Sequence, residues 1–337
     1  MKIALLFFTM FFLLAGCSKE EELPIETFEF IAPAHFPPVE YDLAQNPITK
    51  KGFELGKKLF MDGKLSGNGS ISCASCHIST SGFTQHGHAL SHGIFGRLTR
   101  RNSMPIQNLA WSKNFMWDGG VFHLDLFPPA PISNPNEMQE TVANVLLKLK
   151  QDDQYPQLFK DAFGEDEITT DLFLKALSQF QLMCISANSP YDKYVKGEES
   201  LSADAMEGKA LFDSKCSTCH EGVLQTDQSF RNNGLAIGNP TDKGRALITG
   251  NEEDNFKFRV PSLRNWQFTY PYMHDGRFRT IDEVLEHYNS GVVTSATLDT
   301  LLQNGIPLSA TEREKLKAFL ETLNDEGFIN NPLTEVF

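Results

Sequence analysis

Basic charge is scarce in this 337-residue chain. It carries 30 Lys+Arg against 43 Asp+Glu, a net charge of −13, which excludes nonspecific nucleic-acid binding through a basic surface. Long apolar runs are missing beyond the first residues, so no later segment is long and apolar enough to cross a membrane. Alternating polar and apolar stretches are few, which argues against a sheet protein. Cysteine is limited to six residues, too few for a small disulfide scaffold, so spacing must decide their meaning. What is present is a globular composition, with 41% hydrophobic and 22% charged residues, unlike a disordered chain. The length allows two domains, each able to bury a core.

The one apolar run is an address. Lys2 precedes Ile3 to Gly16, then Cys17, a run too short to span a bilayer comfortably and flanked as a secretory signal is. Leu14-Ala15-Gly16-Cys17 resembles the lipobox of bacterial lipoproteins. That resemblance implies a signal peptide over 1–16, cleavage before Cys17 and lipidation of its thiol. An ordinary signal peptide with an incidental cysteine is the alternative. Ser18-Lys19-Glu20-Glu21-Glu22 is similar to surface-export signals of some Bacteroidetes lipoproteins. The expected location is the cell envelope, lipid-anchored and facing the periplasm or the cell surface. Residues 17–48 are rich in proline and acid, including Pro37-Pro38, and read as a tether with little regular structure.

A weak internal repeat follows. Gly56-Lys57-Lys58-Leu59-Phe60 precedes Cys73-Ala74-Ser75-Cys76-His77, and Gly208-Lys209-Ala210-Leu211-Phe212 precedes Cys216-Ser217-Thr218-Cys219-His220. Two related domains are the natural inference, over 49–190 and 191–337, with the boundary near Ser189-Pro190, where the proline stops a long helix. Helical faces are formed by Val142, Val145, Leu146 and Leu149, and by Leu172, Phe173, Ala176, Leu177, Phe180, Met183 and Cys184. Thr280 with Glu283 and Ser309 with Glu312 are capping-box pairs that open two further helices. The fold class is mainly α with long loops.

The Cys-x-x-Cys-His sites carry the chemistry. In c-type cytochromes two thiols add to the haem vinyl groups and the adjoining histidine ligates the iron. A zinc site from two Cys-x-x-Cys pairs competes, but leaves the histidine after each pair unexplained. Two covalent haem c groups are therefore expected, on Cys73, Cys76, Cys216 and Cys219, with His77 and His220 as proximal ligands in two cytochrome c-like domains. Function then turns on the sixth iron positions. A six-coordinate haem passes electrons, whereas an openable one binds peroxide or oxygen.

From about Lys51 to Leu323 the chain resembles the bacterial di-haem cytochrome c peroxidases and their relatives that mature methylamine dehydrogenase, the MauG group. The ordered motifs are Ser72 to His77, Arg101-Asn102-Ser103, Phe115-Met116-Trp117-Asp118-Gly119, Asn134-Pro135-Asn136-Glu137-Met138, the second haem motif, Val260-Pro261-Ser262-Leu263-Arg264-Asn265, and Thr269-Tyr270-Pro271-Tyr272-Met273-His274-Asp275-Gly276. The resemblance implies that the first haem reacts with peroxide and the second takes in electrons. It makes Glu137 the distal acid/base that moves a peroxide proton. On the residues alone, Asn136 can cap the next helix with Glu137 in its first turn. By the same resemblance Trp117 is an inter-haem electron relay, and Asn102 with the carbonyls of Thr269 and Pro271 holds calcium, a hard cation suited to oxygen ligands. His86, His88 and His92 lie in a loop after the first haem. His92 is the nearest match to a histidine that caps the iron in the inactive state, although its spacing to Arg101-Asn102 differs from the family's. A solvated loop histidine is the alternative.

The second haem departs from the common pattern. Where typical family peroxidases place a methionine, fourteen residues after His274, this chain has Tyr288, as the MauG group does. A helix from Ile281 puts Ile281, Val284, Leu285 and Tyr288 on one stripe and turns His287 about 100° away. Met273 is the remaining candidate. Thioether raises a haem's potential, whereas a phenolate stabilises Fe(III) and lowers it. The leading expectation is a di-haem c-type peroxidase that reduces hydrogen peroxide with electrons from a small donor protein, a cytochrome c or a cupredoxin. The alternatives are a MauG-like oxidase of a protein or organic substrate and a pure electron carrier. Cys184 remains as a buried free thiol, and no disulfide is expected.

Overall fold

The computed structural model describes residues 28–336. The expected signal peptide, Cys17 and the acidic residues after it lie outside the described residues. The helices are α1 Lys50–Met61, α2 Pro129–Ser133, α3 Val142–Lys150, α4 Tyr155–Phe163, α5 Thr170–Leu182, α6 Pro190–Val195, α7 Ala203–Lys215, α8 Ala246–Thr249, α9 Ile281–Glu286, α10 Ala310–Glu321 and α11 Glu326–Ile329. Sheet is confined to two antiparallel pairs, Phe230↔Arg259 and Arg231↔Phe258, in β1 (Phe230–Arg231) and β2 (Phe258–Arg259), with isolated bridges elsewhere. The protein is mainly helical.

The repeated Gly-Lys-x-Leu-Phe element is explained by how helices cross. α1 packs on α5, and a Cβ at Gly56 would lie 2.0 Å from the Ala176 carbonyl oxygen of α5. α7 packs on α10, and a Cβ at Gly208 would lie 1.9 Å from the Lys315 carbonyl oxygen. Only glycine permits backbones that close. One turn on, the phenylalanine of each repeat seals the crossing, Phe60 against Phe180 at 4.9 Å and Phe212 against Phe319 at 5.0 Å. The face positions Val145 and Leu149 of α3 and Phe173, Ala176, Leu177 and Phe180 of α5 are buried as their periodicity predicts. Both capping boxes form, at Thr280/Glu283 and Ser309/Glu312.

Two local expectations change. α5 ends at Leu182, capped by Met183, and Pro190 opens α6 instead of stopping a helix. A proline at the first helical position loses no hydrogen bond, and Ser189 with Asp192 supplies the capping box. The loop ending at Glu140 is likewise not capped by Asn136. Thr141 caps α3, accepting from the Asn144 amide.

Three buried apolar clusters organise the chain. The first runs from Phe53 through Phe83 and Phe180 to Cys184, and it also takes in Phe328, Ile329 and Val336. The chain end therefore returns to the first half, where the Val336 amide donates to Ser79 Oγ at 3.2 Å. The second is built on Phe212, Leu285, Leu316 and Phe319. The third gathers Phe36, Trp111, Phe115 and Leu182. Residues 28–48 lack regular structure but are packed as a strap. Phe36 meets Trp111 edge-on at 5.0 Å, the Trp111 indole donates to the Pro37 carbonyl at 2.8 Å, and Asn46 bonds Lys175 O and Gln179 of α5.

Candidate active site

Each Cys-x-x-Cys-His motif turns tightly after its Gly-x-x-Leu-Phe helix. The His77 and His220 amides donate to the Cys73 and Cys216 carbonyls, both at 3.0 Å. The His77 Nδ1–H donates to Phe83 O at 2.7 Å and the His220 Nδ1–H to Gln225 O at 3.2 Å. Both accepting residues have left-handed backbone, φ 60° and 55°. Fixing Nδ1 in this way leaves Nε2 as the metal-binding nitrogen. Burial lowers the pKa of both imidazoles, which keeps them in the neutral, ligating form. The four motif thiols are unpaired, and burial pushes Cys73 and Cys216 up to about 12, a setting that favours a neutral thioether over a thiolate.

A cavity of about 500 Å³ adjoins the second motif. Cys216, Cys219 and His220 line it, as do Phe212 and Leu316, and the stripe Ile281, Val284, Leu285 and Tyr288 faces into it. Arg259 also borders it. Its Nε is buried without a hydrogen-bond partner, no carboxylate among the described residues pairs with it, and desolvation pushes its pKa down to about 10. Two thiols, a preset imidazole, apolar walls and one uncompensated cation fit a covalently held haem with its propionates.

At the first motif, Glu137 sits in the turn between α2 and α3. Its carboxylate accepts from Asn134 Nδ2 at 2.6 Å, and burial raises its pKa. It is near enough to raise the pKa of both Cys73 and Cys76 by its charge. The loop carrying His92 docks on this turn. The Ile94 amide donates to Glu137 O at 2.7 Å, and a Cβ at Gly93 would lie 2.0 Å from Asn136 O. His92 itself is exposed and meets His88 edge-on at 5.0 Å, while His86 is tied to Ser81 and Tyr270 at 2.9 Å each.

Segments before and after the second motif converge on the same cavity. Trp117, Asn102, Thr269, Pro271 and Met273 all line it. The Trp117 indole donates to Asn102 O at 2.9 Å, and the Asn102 amide donates to His274 O at 2.8 Å. The Asn102 side chain donates to Ala89 O at 3.0 Å. Tyr288 follows α9 in a π-helical turn, His287–Gly291. Turns of this kind re-aim side chains and recur at functional sites. Desolvation pushes the Tyr288 phenol up to about 12, against the opposing effect of the Asn233 amide.

Comparison with known proteins identifies the family. A family model described as di-haem cytochrome c peroxidase matches residues 50–200. Methylamine utilization protein MauG of Methylorubrum extorquens is 37% identical over 287 residues, covering 83% of this chain and 80% of that protein. Cytochrome c551 peroxidase of Nitrosomonas europaea is 34% identical over 300 residues, covering 86% and 84%. The chain belongs to the di-haem cytochrome c peroxidase family. The crystal structure of a MauG-like protein associated with microbial copper homeostasis superposes with a TM-score of 0.85 at 32% identity, covering 91% of this chain and 99% of that one.

In this di-haem cytochrome c peroxidase a second internal repeat escaped sequence reading. Asn108–Val121 and Asn265–Phe278 have the same backbone. Asn108 and Asn265, Met116 and Met273, and Gly119 and Gly276 all have positive φ. Phe115 pairs with Val121 and Tyr272 with Phe278, each through an N–H···O bond of 2.7 Å. Trp117 and His274 thus occupy equivalent places. The available signal was Met-x-Asp-Gly, present in both Phe-Met-Trp-Asp-Gly and Tyr-Met-His-Asp-Gly. Arg259 and Asn233 carried no motif and were also missed.

Proposed function

We propose that this protein reduces hydrogen peroxide with electrons from a small donor protein, a cytochrome c or a cupredoxin. The observation that carries the reading is Glu137, a desolvated carboxyl beside the first haem-binding motif. When bound, each haem supplies a redox-active iron. His77 and His220 present a neutral Nε2 to it, held in direction by Phe83 and Gln225. Peroxide takes up two electrons and two protons and leaves as two waters. Glu137 takes the proton from one peroxide oxygen and returns it to the other, and Asn134 orients its carboxylate. Trp117, joined through Asn102 to the His274 loop, is the relay between the two sites. The haem-binding halves span 49–190 and 191–337, the chain end aside. Asn102 with the Thr269 and Pro271 carbonyls, grouped at one cavity, is the calcium site. His92 is the mobile cap of the first site, carried by the loop that rests on Glu137. Lipid on Cys17 anchors the protein to the cell envelope.

A second reading, oxidation of a protein or organic substrate by the same residues, is favoured by Tyr288. Its place on the cavity stripe supports it as the distal ligand of the second haem, and a phenolate suits storage of an oxidising equivalent. Steady-state peroxide turnover with a panel of small cytochromes c and cupredoxins tests the first reading. Donor oxidation by at least one of them is expected. Spectra in which both haems stay low-spin and inert to peroxide in every redox state would leave only an electron carrier.

A further inference from the structure

The repeated helices α1 and α7 pack alike and are charged oppositely. Each crosses its partner through a glycine and seals the crossing with a phenylalanine, so packing makes the same demands on both. The solvent side of α7 carries Asp204, Glu207 and Asp213 against Lys209 and Lys215. On α1, every position that is not buried is a lysine apart from Glu54 and Met61: Lys50, Lys51, Lys57 and Lys58. Their spacing of one and two turns places all four on one side of the helix. The crossing does not explain a positive stripe on a chain of net charge −13.

Neighbouring acids do not cancel it. Lys51 meets Glu54 at 3.2 Å, but both side chains are exposed, and such a pair leaves the lysine available. Lys57 feels Glu335 and donates to Leu333 O at 2.9 Å. Lys58 stands 5.6 Å over the Tyr155 ring. Among the described residues neither Lys50 nor Lys58 has a carboxylate partner.

The chain also arrives at this helix. The described residues begin at Phe28, whose ring lies 5.0 Å from that of Phe53 in α1. Phe28 packs on the first core, and the residues after it form the strap, so they add no reach. Only eleven residue steps separate Phe28 from Cys17, at most about 40 Å of extended chain.

We propose that the lysine face of α1 rests on the anionic headgroups of the bilayer that holds Cys17, so that anchor and charge together orient the protein. This rests on the reading that lipid on Cys17 anchors it. Attraction between lysines and an anionic surface fades within about 10 Å at 0.1 M salt, and the short tether keeps α1 where it can act. Each lysine near such a surface strengthens attachment about fivefold.

The test uses the mature holoprotein, purified in nonionic detergent and returned to vesicles. Lysine acetylation, read by mass spectrometry, compares vesicles of phosphatidylcholine with vesicles of phosphatidylglycerol. Lys50, Lys51 and Lys58 are expected to be labelled about fivefold more slowly on phosphatidylglycerol, with Lys209 and Lys315 unchanged. The protection should vanish near 1 M salt, where screening shortens to about 3 Å. Lys50→Glu/Lys58→Glu, two exposed sites, should keep haem content and lose the protection of Lys51. Equal labelling on the two kinds of vesicle overturns the proposal and leaves the anchor standing. Protection already present in detergent, and removed by Glu20→Gln/Glu21→Gln/Glu22→Gln, assigns the face to the chain's own acidic segment and also overturns it. A holoprotein whose mass shows no lipid on Cys17, and which floats with neither vesicle near 1 M salt, defeats the anchor reading and the proposal with it.

Discussion

Replacing Asp192 with asparagine should cost about 3–5 kcal/mol of stability. Asp192 and Arg264 form an ion pair in which both side chains have 0% exposure. The carboxylate also accepts from the Ser189 amide and hydroxyl, each at 2.8 Å, and from His35 Nε2 at 2.9 Å. It thereby joins the strap, the start of α6 and the segment after β2. Among the described residues Arg264 has no other counter-charge. It donates to Val223 O at 2.9 Å and lies 5.4 Å over the Phe36 ring, and its Nε has no partner. Asparagine keeps the volume and removes the charge, leaving a guanidinium buried and uncompensated. An exposed pair such as Lys51–Glu54 is worth only about 0–1 kcal/mol. Burial by itself would raise the Asp192 pKa, but Arg264 outweighs it and holds the carboxyl below the usual carboxylate range. The contribution is therefore complete above the unfolded-state pKa of about 3.9 and is lost as pH falls through the lower folded value. Denaturant unfolding of the holoprotein, followed by far-ultraviolet circular dichroism, should show the full deficit at pH 7, narrowing below about pH 4. The double variant Asp192→Leu/Arg264→Met, which removes both charges, should recover most of it. A deficit under about 1 kcal/mol, or a double variant as damaged as the single, would refute the argument.

Glu137→Gln should lower peroxide turnover by about 10²-fold or more with unchanged haem content. In the parent enzyme the ionised carboxylate is the base and burial raises its pKa, so turnover should rise with pH through a limb above the ordinary glutamate range. Turnover above roughly a tenth of the parent value in Glu137→Gln would remove Glu137 from the chemistry. Gly56→Ala and Gly208→Ala each gain about 1 kcal/mol of helix propensity. The new methyl meets a backbone carbonyl that cannot rotate aside, so overpacking of about 1–3 kcal/mol or more should win. Thermal melts that rise in either variant would show that the crossings can open.

Much of the candidate site was legible because its chemistry is local. Cys-x-x-Cys-His sets two sulfurs and an imidazole within one turn of chain, so spacing alone points to haem. The faces of α3, α5 and α10 follow from 3.6-residue periodicity, and the capping boxes of α9 and α10 from residue pairs three apart. Local rules failed where two of them competed. Pro190 can stop a helix or start one, and Asn136 and Thr141 are both capping residues. A pair three residues apart decided each case, Ser189 with Asp192 and Thr141 with the Asn144 amide, and the sequence offered each rule without ranking them.

Sequence by itself determined the attachment chemistry, the helical stripe that carries Tyr288, and the repeated Gly-x-x-Leu-Phe helix before each motif. Only the tertiary structure decided why that glycine is needed, since its partner carbonyl comes from a helix about a hundred residues or more away. It also decided that the chain end returns to the first core and that Arg264 meets Asp192. These contacts bring together residues tens to hundreds of positions apart. Backbone path and shared burial select them, and neither leaves a periodic trace in the sequence.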